Sequence, residues 1–452
     1  MGGPTTRRLL KLLREPYWLL LLGLLGLGVA LGIRLSHQQI EAAPGYFGLA
    51  WKGDPSETRS ALTTLFGLQI TVLTVVLSLN APVIQSAANQ YSPRLVPIYL
   101  RSAPLRRAIP FFALSSGYIL AALRELGLIA DVGVRPRPVL SGAVVLTLGA
   151  LFILVFCMIR TFRFMRVERV LGLVQELIVS ATERRIQARL KRLPLDPAAT
   201  LALPADATAL EAPASGYLAE IDLRRLAQRA RKWRVRARVC IIVGEYVDKD
   251  DVVGWVAAEG GGPVDSRALR SLADALVITA AREPGCDPAL GIRILVDVAN
   301  RALSSSSNDP YTARQALQQV RSVMRRLARL PLGDWNVVDP DGRARVSVAA
   351  TRLRDFLFLA VDGPLHYGMG DPEVLEEVLQ IALTVGLAAR DPEDRAAAHA
   401  LLARVLAVAD SHGAQERDRF RRLLTEAERV RATFQGGRRT TVERARAVWL
   451  PD

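Results

Sequence analysis

Seven positions, Thr64, Gly67, Thr71, Thr74, Ser78, Gln85 and Asn89, set hydroxyls, amides and one bare backbone along a single line. At 100° per residue they share a sector of roughly 100° on one helix. None of them is an acid, a base or an activated nucleophile, so the line is not read as catalytic. Neutral hydroxyls and amides exchange hydrogen bonds, either with a solute passing in water or with a neighbouring helix. The surrounding stretch, residues 61–90, is apolar enough to span a bilayer, and lipid does not readily accept such a line. The stripe is therefore expected to face water or protein. As one helix the stretch measures about 43 Å, against a hydrocarbon core of roughly 30 Å. Pro82 lies on the same side; it has no N–H for the carbonyl of Ser78, which makes it a candidate kink.

Around that span the first 160 residues read as a membrane domain with four spans, at about 17–33, 61–88, 109–129 and 139–159. The first follows Arg7, Arg8, Lys11 and Arg14, the pattern of a signal peptide. No small-residue cleavage site follows promptly, so a retained span anchored by Tyr17 and Trp18 is expected. The loop at 34–60 carries Tyr46, Phe47 and Trp51, suited to an interface. Gly28-x3-Gly32 and Ala113-x3-Gly117-x3-Ala121 give the first and third spans small-residue faces that let helices approach closely.

The net charge of +15 raises nucleic acid as a partner, but its distribution argues otherwise. Residues 1–169 hold 18 Lys/Arg and 7 Asp/Glu; the remainder holds 41 and 37. The excess sits beside the spans, where it reports orientation, and no basic platform interleaved with aromatics is present. With the N-terminus in the cytoplasm, twelve basic residues flank the spans inside and five lie in the outer loops. Both termini are therefore expected in the cytoplasm. Cys157, Cys240 and Cys286 are far apart, and the four histidines have no metal-ligand spacing, so no metal or disulfide is expected.

Beyond the spans, 161–193 keeps a helical period and reads as a stalk, and 194–212 is a Pro/Ala-rich linker. Residues 213–258 alternate as strands, with Val235-Arg-Ala-Arg-Val239 the clearest. Their spacing resembles half of a biotinyl/lipoyl-type barrel, but no Met-Lys-Met tip is present, so Lys249 is expected unmodified. A small β-barrel-like module without cofactor is the reading there. Gly260-Gly-Gly-Pro263 is a break, not a phosphate loop. A helical domain is expected over 264–433, with helices at 264–282, 288–303, 311–329, 350–361, 372–389, 393–410 and 414–433, and then a basic tail over 434–452. Arg345-Val-Ser-Val348 reads as one more strand. Asn308 and Asp309 sit before Pro310, suited to capping a helix or to holding a ligand or partner in the loop. The fold class is thus a mainly α membrane protein: four transmembrane helices, then a cytoplasmic α+β region.

Leu77-Ser-Leu-Asn-Ala…Gln90-Tyr-Ser-Pro-Arg94, Gly216-Tyr-Leu-Ala-Glu-Ile-Asp222, Gly244-Glu-Tyr-Val247, Asp287-Pro-Ala-Leu-Gly-Ile-Arg293 and Asn308-Asp-Pro-Tyr-Thr-Ala313 occur in this order. Together they resemble a bacterial family of membrane proteins known only as domain of unknown function 2254. The resemblance covers about residues 10–430. It implies the bacterial inner membrane and this four-span layout, and no established activity.

Two functions compete. One is a homo-oligomeric pore or transport protein lined by the second span, passing ions or small solutes. The other is a membrane-anchored interaction or regulatory module worked by its cytoplasmic domain. An enzyme is not expected, because no nucleophile elbow, nucleotide fingerprint or intramembrane acid pair is found. Reporter fusions at residue 135 and at the C-terminus are expected to report opposite sides of the membrane; same-side signals would overturn the topology.

Overall fold

The computed structural model describes residues 16–37, 51–53, 55–90, 92–95, 105–128, 135–164, 166–196, 199–282, 285, 287–389, 391–410 and parts of 421–432. The basic clusters at 7–14 and 434–452, the side chains of Tyr17, Trp18 and Asn89, and Cys286 lie outside the described residues. The chain divides into two units, Met1–Arg166 and Val167–Asp452.

The first unit holds α1 (Pro16–His37), α2 (Pro55–Gln90), a 3-10 turn at Pro93–Leu95, α3 (Leu105–Leu128) and α4 (Pro138–Phe164). Each of the four helices contains a window long and apolar enough to cross a membrane: Leu20–His37, Ser56–Ser86, Ala108–Leu128 and Pro138–Thr161. The second is longer than expected because it begins at Pro55, and it runs through Pro82 without leaving the helix. Helix α1 lies against α3 along the two small-residue faces. A Cβ on Gly28 would run into the carbonyl of Leu114, one on Gly32 into that of Tyr118, and one on Gly117 into Leu25. Glycine there brings the two backbones together, which gains dispersion contacts that lipid tails cannot match. Helix α2 packs on α3 and α4. Tyr118, 2% exposed, donates to the carbonyl of Val139 at 2.7 Å and ties α3 to the start of α4. The two loops expected on one side do meet: β1 (Trp51–Gly53) pairs antiparallel with β2 (Arg135–Arg137). His37 and Glu125, 3.1 Å apart, join the ends of α1 and α3.

The second unit opens with α5 (Val167–Arg192). It packs on α8 (Pro288–Ala302) and α9 (Pro310–Leu327). The bare backbone of Gly291 accepts the side chain of Ile178, itself fully buried. The stretch read as a linker carries a bridge, Leu195 to Val337, and a strand, β3 (Thr208–Glu211). Then come β4 (Gly216–Ile221), α6 (Leu223–Lys232), β5 (Val235–Val239), β6 (Tyr246–Val247), β7 (Val252–Ala258), α7 (Ser266–Ala273) and β8 (Leu276–Thr279). After α9 follow β9 (Trp335–Val338), β10 (Ala344–Val348), α10 (Leu353–Tyr367), α11 (Pro372–Ala388) and α12 (Pro392–Asp410).

The β-barrel-like module expected at 213–258 does not form. Its strands are divided between two open sheets, in the orders β3-β7-β5-β10-β9 and β6-β4-β8. Two members of the larger sheet come from about a hundred residues downstream, and β10 lies parallel to β5. Alternation of apolar and polar residues is the same in an open sheet and in a barrel, so the local pattern could not separate them. The helix expected at 264–282 is α7 followed by β8, whereas α8, α9, α11 and α12 fall within two residues of their expected spans.

Four of these helices start at an Asp-Pro pair. Asp287 accepts from the N–H of Leu290 at 3.1 Å, Asp309 from Thr312 at 3.0 Å, Asp371 from Glu373 at 2.9 Å and Asp391 from Glu393 at 2.9 Å. Each carboxylate satisfies an orphan donor, and the following proline occupies the position where no N–H is needed. Asp287 does more. It is 3% exposed and holds Arg282 at 2.5 Å, and Gly244, at φ +96°, passes directly over the pair. A side chain at 244 would be strained by its backbone and would collide with the Asp287 carboxylate.

Gly291→Val is expected to overpack the α5–α8 contact and destabilise the second unit by about 1–3 kcal/mol. A lowered midpoint in thermal unfolding of the nanodisc-reconstituted protein checks this; an unchanged midpoint would show that Ile178 moves aside freely.

Candidate functional site: two faces of the second span

Helix α2 buries one side. Leu62, Gln69, Val72 and Val76 are buried there, with Leu65, Phe66 and Leu73 partly so. The polar stripe lies about 160° round the helix from that side, by the 100° step. Thr64, Gly67, Thr71, Thr74, Ser78 and Gln85 are all exposed. The structure therefore places the stripe away from α1, α3 and α4, so it does not pack the four spans of one chain together. Asn89 is in the last turn of the same helix. Nothing lies within 4 Å of a Cβ built on Gly67, which leaves a notch in the outer face. Large apolar residues border the stripe on both sides: Leu68, Val75 and Leu79 on one, Ile70 and Leu77 on the other, all exposed.

The threonines of the stripe turn their protons inward. Thr64 donates to the carbonyl of Ser60 at 3.1 Å, Thr71 to Gly67 at 3.0 Å and Thr74 to Ile70 at 2.9 Å. Their oxygens stay available as acceptors on the outer face. Ser78 and Gln85 form no hydrogen bond with any described residue.

The opposite side holds a polar group that the stripe did not announce. Gln69 is fully buried. Its amide nitrogen donates to the hydroxyl of Ser115 on α3 and, at 3.3 Å, to that of Thr147 on α4. Thr147 in turn donates to the carbonyl of Ala143 at 2.9 Å. One amide thus bridges three helices, while its oxygen has no hydrogen-bond partner. The signal was there to find: Gln69 is the one strongly polar residue in the row Leu62, Gln69, Val72, Val76, an otherwise apolar face.

Asn308 and Asp309 are brought to the start of α9. Asp309 caps it, and Asn308 takes the left-handed conformation at φ +45° that the turn needs. The preceding serines close their own turn, Asn308 N–H bonding the Ser304 carbonyl at 2.9 Å. Of Asn308 and Asp309, it is the Asp309 side chain that serves the helix start. Among the described residues no three His, Cys, Asp or Glu side chains cluster as a metal site.

Four apolar helices of spanning length in one unit define a membrane protein. The chain belongs to the family described as predicted membrane protein, domain of unknown function 2254, which it matches over residues 14–384. It is 28% identical over 430 residues to an uncharacterized protein of Mycobacterium tuberculosis (strain H37Rv), covering 91% of this chain and 80% of that one. An uncharacterized protein of Mycobacterium bovis matches with the same identity and coverage. No solved structure matches the chain.

Gln69→Leu is expected to leave stability within about 1 kcal/mol of wild type, because Ser115 can turn to a backbone carbonyl and Thr147 already has one. Gln69→Glu, which places an unpaired carboxylate among three helices, is expected to destabilise by several kcal/mol. Thermal unfolding in nanodiscs checks both; a Gln69→Leu protein as unstable as Gln69→Glu would make the amide bridge essential to the bundle.

Proposed function

We propose that the chain is a non-enzymatic, homo-oligomeric pore or transport protein of the bacterial inner membrane, with the second span of each copy lining the path. One observation carries the reading: the polar stripe faces out of its own helix bundle while the apolar face of the same helix is already spent on α3 and α4. A second copy, or several, covers the exposed apolar flanks and turns the stripe toward a shared interior. The Ser78 hydroxyl and the Gln85 amide can donate, no acidic residue lies on the line, and the inner mouth at Arg94 is basic, so the path suits anions or small neutral solutes better than divalent cations. Orientation with both termini in the cytoplasm is part of the same reading, resting on the basic residues that flank the spans.

The second reading, a membrane-anchored interaction module, draws support from the size of the Val167–Asp452 unit. An anion-flux assay in liposomes separates the two. Wild type is expected to conduct above empty liposomes, and Thr74→Val and Ser78→Leu, folded and inserted, to lower flux severalfold. Absent wild-type flux, or equal flux in both variants, would leave the interaction reading standing. Mass photometry in nanodiscs is expected to show multiples of the 49.4 kDa chain; protomers alone would remove the shared interior.

A further inference from the structure

Two arginines of α5, Arg185 and Arg189, line one cavity of about 80 Å³ within the Val167–Asp452 unit. They stand one helical turn apart, so they share a face of the helix. Both are half-buried. No residue of α2 takes part, and the cavity is independent of the pore reading.

Arg189 is held in place without being neutralised. Its guanidinium carbon lies 5.3 Å from the centre of the Trp335 ring, and Trp335 is buried. Cation–π attraction fixes the head, but the ring accepts none of the N–H groups in the guanidinium plane. Among the described residues, no atom accepts a hydrogen bond from that guanidinium and no carboxylate forms an ion pair with it. Glu220, exposed on β4, attracts it from further off, and Arg185 repels it. Burial first, and then Arg185, push Arg189 down from its ordinary value to about 10. Both causes act against the cation, and an anion beside it would offset both.

The other polar groups of the wall are engaged elsewhere. Asp287 holds Arg282 and caps α8. Thr182 donates its proton to the carbonyl of Ile178 at 2.7 Å. Most of the remaining wall is hydrocarbon, with Ile186, Ile221, Leu332, Val348 and Phe356. Size and lining together select a ligand. One water takes about 30 Å³ in the liquid, so the cavity accommodates a few heavy atoms. A planar carboxylate meets the guanidinium fork with two parallel hydrogen bonds. Phosphate meets the fork too, but it carries oxygens on every side, and an apolar wall offers those no donors.

We propose that this cavity binds a small aliphatic monocarboxylate, its carboxylate on Arg189 with Arg185 adding positive charge, and its alkyl end on the apolar wall. The carboxylate supplies the anion that Arg189 lacks, and the alkyl end asks nothing of a wall that has no hydrogen bonds to give.

The test is saturation-transfer NMR of propionate with the full chain in phosphatidylcholine nanodiscs, with empty nanodiscs as the blank. Propionate is expected to give a saturable signal and uncharged propionamide none. Inorganic phosphate is expected to displace propionate only at about tenfold higher concentration or more. Arg189→Gln is expected to weaken propionate about tenfold or more, the loss of a charge-assisted pair of hydrogen bonds. Arg185→Gln is expected to weaken it about threefold, the effect of one nearby charge. Thermal unfolding shows which variants fold; if Arg189→Gln does not, Arg185→Gln and the ligand series decide. No saturable propionate signal, propionamide binding as well as propionate, displacement by phosphate without that excess, or a folded variant of either arginine that binds as wild type would overturn the proposal.

Discussion

A polar group inside the hydrocarbon region has no water to turn to, and that constraint arranges the whole first unit. The second span carries polar groups on opposite sides and treats them differently. Gln69 is drawn inward and used as a bridge to Ser115 and Thr147. The stripe is left outside. What fixes this division is the close approach of α1 and α3 at Gly28, Gly32 and Gly117. That contact uses both small-residue faces within one chain, and α2 packs on α3 and α4 through Leu62, Gln69, Val72 and Val76. A hydrogen bond between membrane helices contributes only about 0.6 kcal/mol on average. Gln69 therefore sets the rotation of α2 more than it sets the stability of the bundle: rotated by half a turn, the amide would face lipid and the stripe would be buried.

The second unit is organised by carboxylates at helix starts. An N-cap contributes about 1 kcal/mol, and the four Asp-Pro starts fix where α8, α9, α11 and α12 begin. Asp287 links this local rule to the tertiary fold. Its one carboxylate caps α8, pairs with Arg282 and lies under the turn at Gly244, so this buried charge ties the strand region to the helical region. Removing one member of such a pair typically costs 3–5 kcal/mol, because the other charge stays buried alone. The segments that carry the family resemblance converge here: Gly244-Glu-Tyr-Val247 and Asp287-Pro-Ala-Leu-Gly-Ile-Arg293 touch through Gly244 and Asp287. Gly216 meets Val247 across β4 and β6.

Much of this was legible in the residues. Length and hydropathy mark four spans, period 3.6 marks the helices after residue 288, and Asp309-Pro310 announces a helix start. The alternation of Val235-Arg-Ala-Arg-Val239 predicts the strand and its inward face, which the structure bears out with Val235, Ala237 and Val239 buried. The sheets were not legible, for a physical reason. Pairing β5 with β10 joins residues more than a hundred positions apart, and β-strand sequences carry their face but not their partner. The stripe was legible as a line on α2; which way it faces was not, because that depends on the glycines of two other helices. Gln69 is hard to find in the sequence because a buried amide needs only one position and forms no row.

Lipid alone is the competing account of an outward stripe, and it divides the residues unevenly. Thr64, Thr71 and Thr74 suit it, since each hydroxyl proton is already bonded to its own helix. Gln85 lies at the end of the span, within reach of headgroups by its length. Gly67 and Ser78 suit it poorly. A glycine in open space contributes no packing and weakens the helix by roughly 1 kcal/mol, a loss that makes sense where another backbone or a solute comes close. Ser78 offers a hydroxyl with no described partner between apolar neighbours. Both residues are explained by an approaching second copy, whether its helix packs into the notch or the copies stand apart around water. On the proposed reading a second copy accompanies either arrangement of the stripe, and conduction belongs to the second alone. The apolar rows on both flanks weigh toward the second: a helix that docks face-on into the notch covers one flank at most, whereas a helix with a neighbour on each side covers both and keeps the polar line between them open.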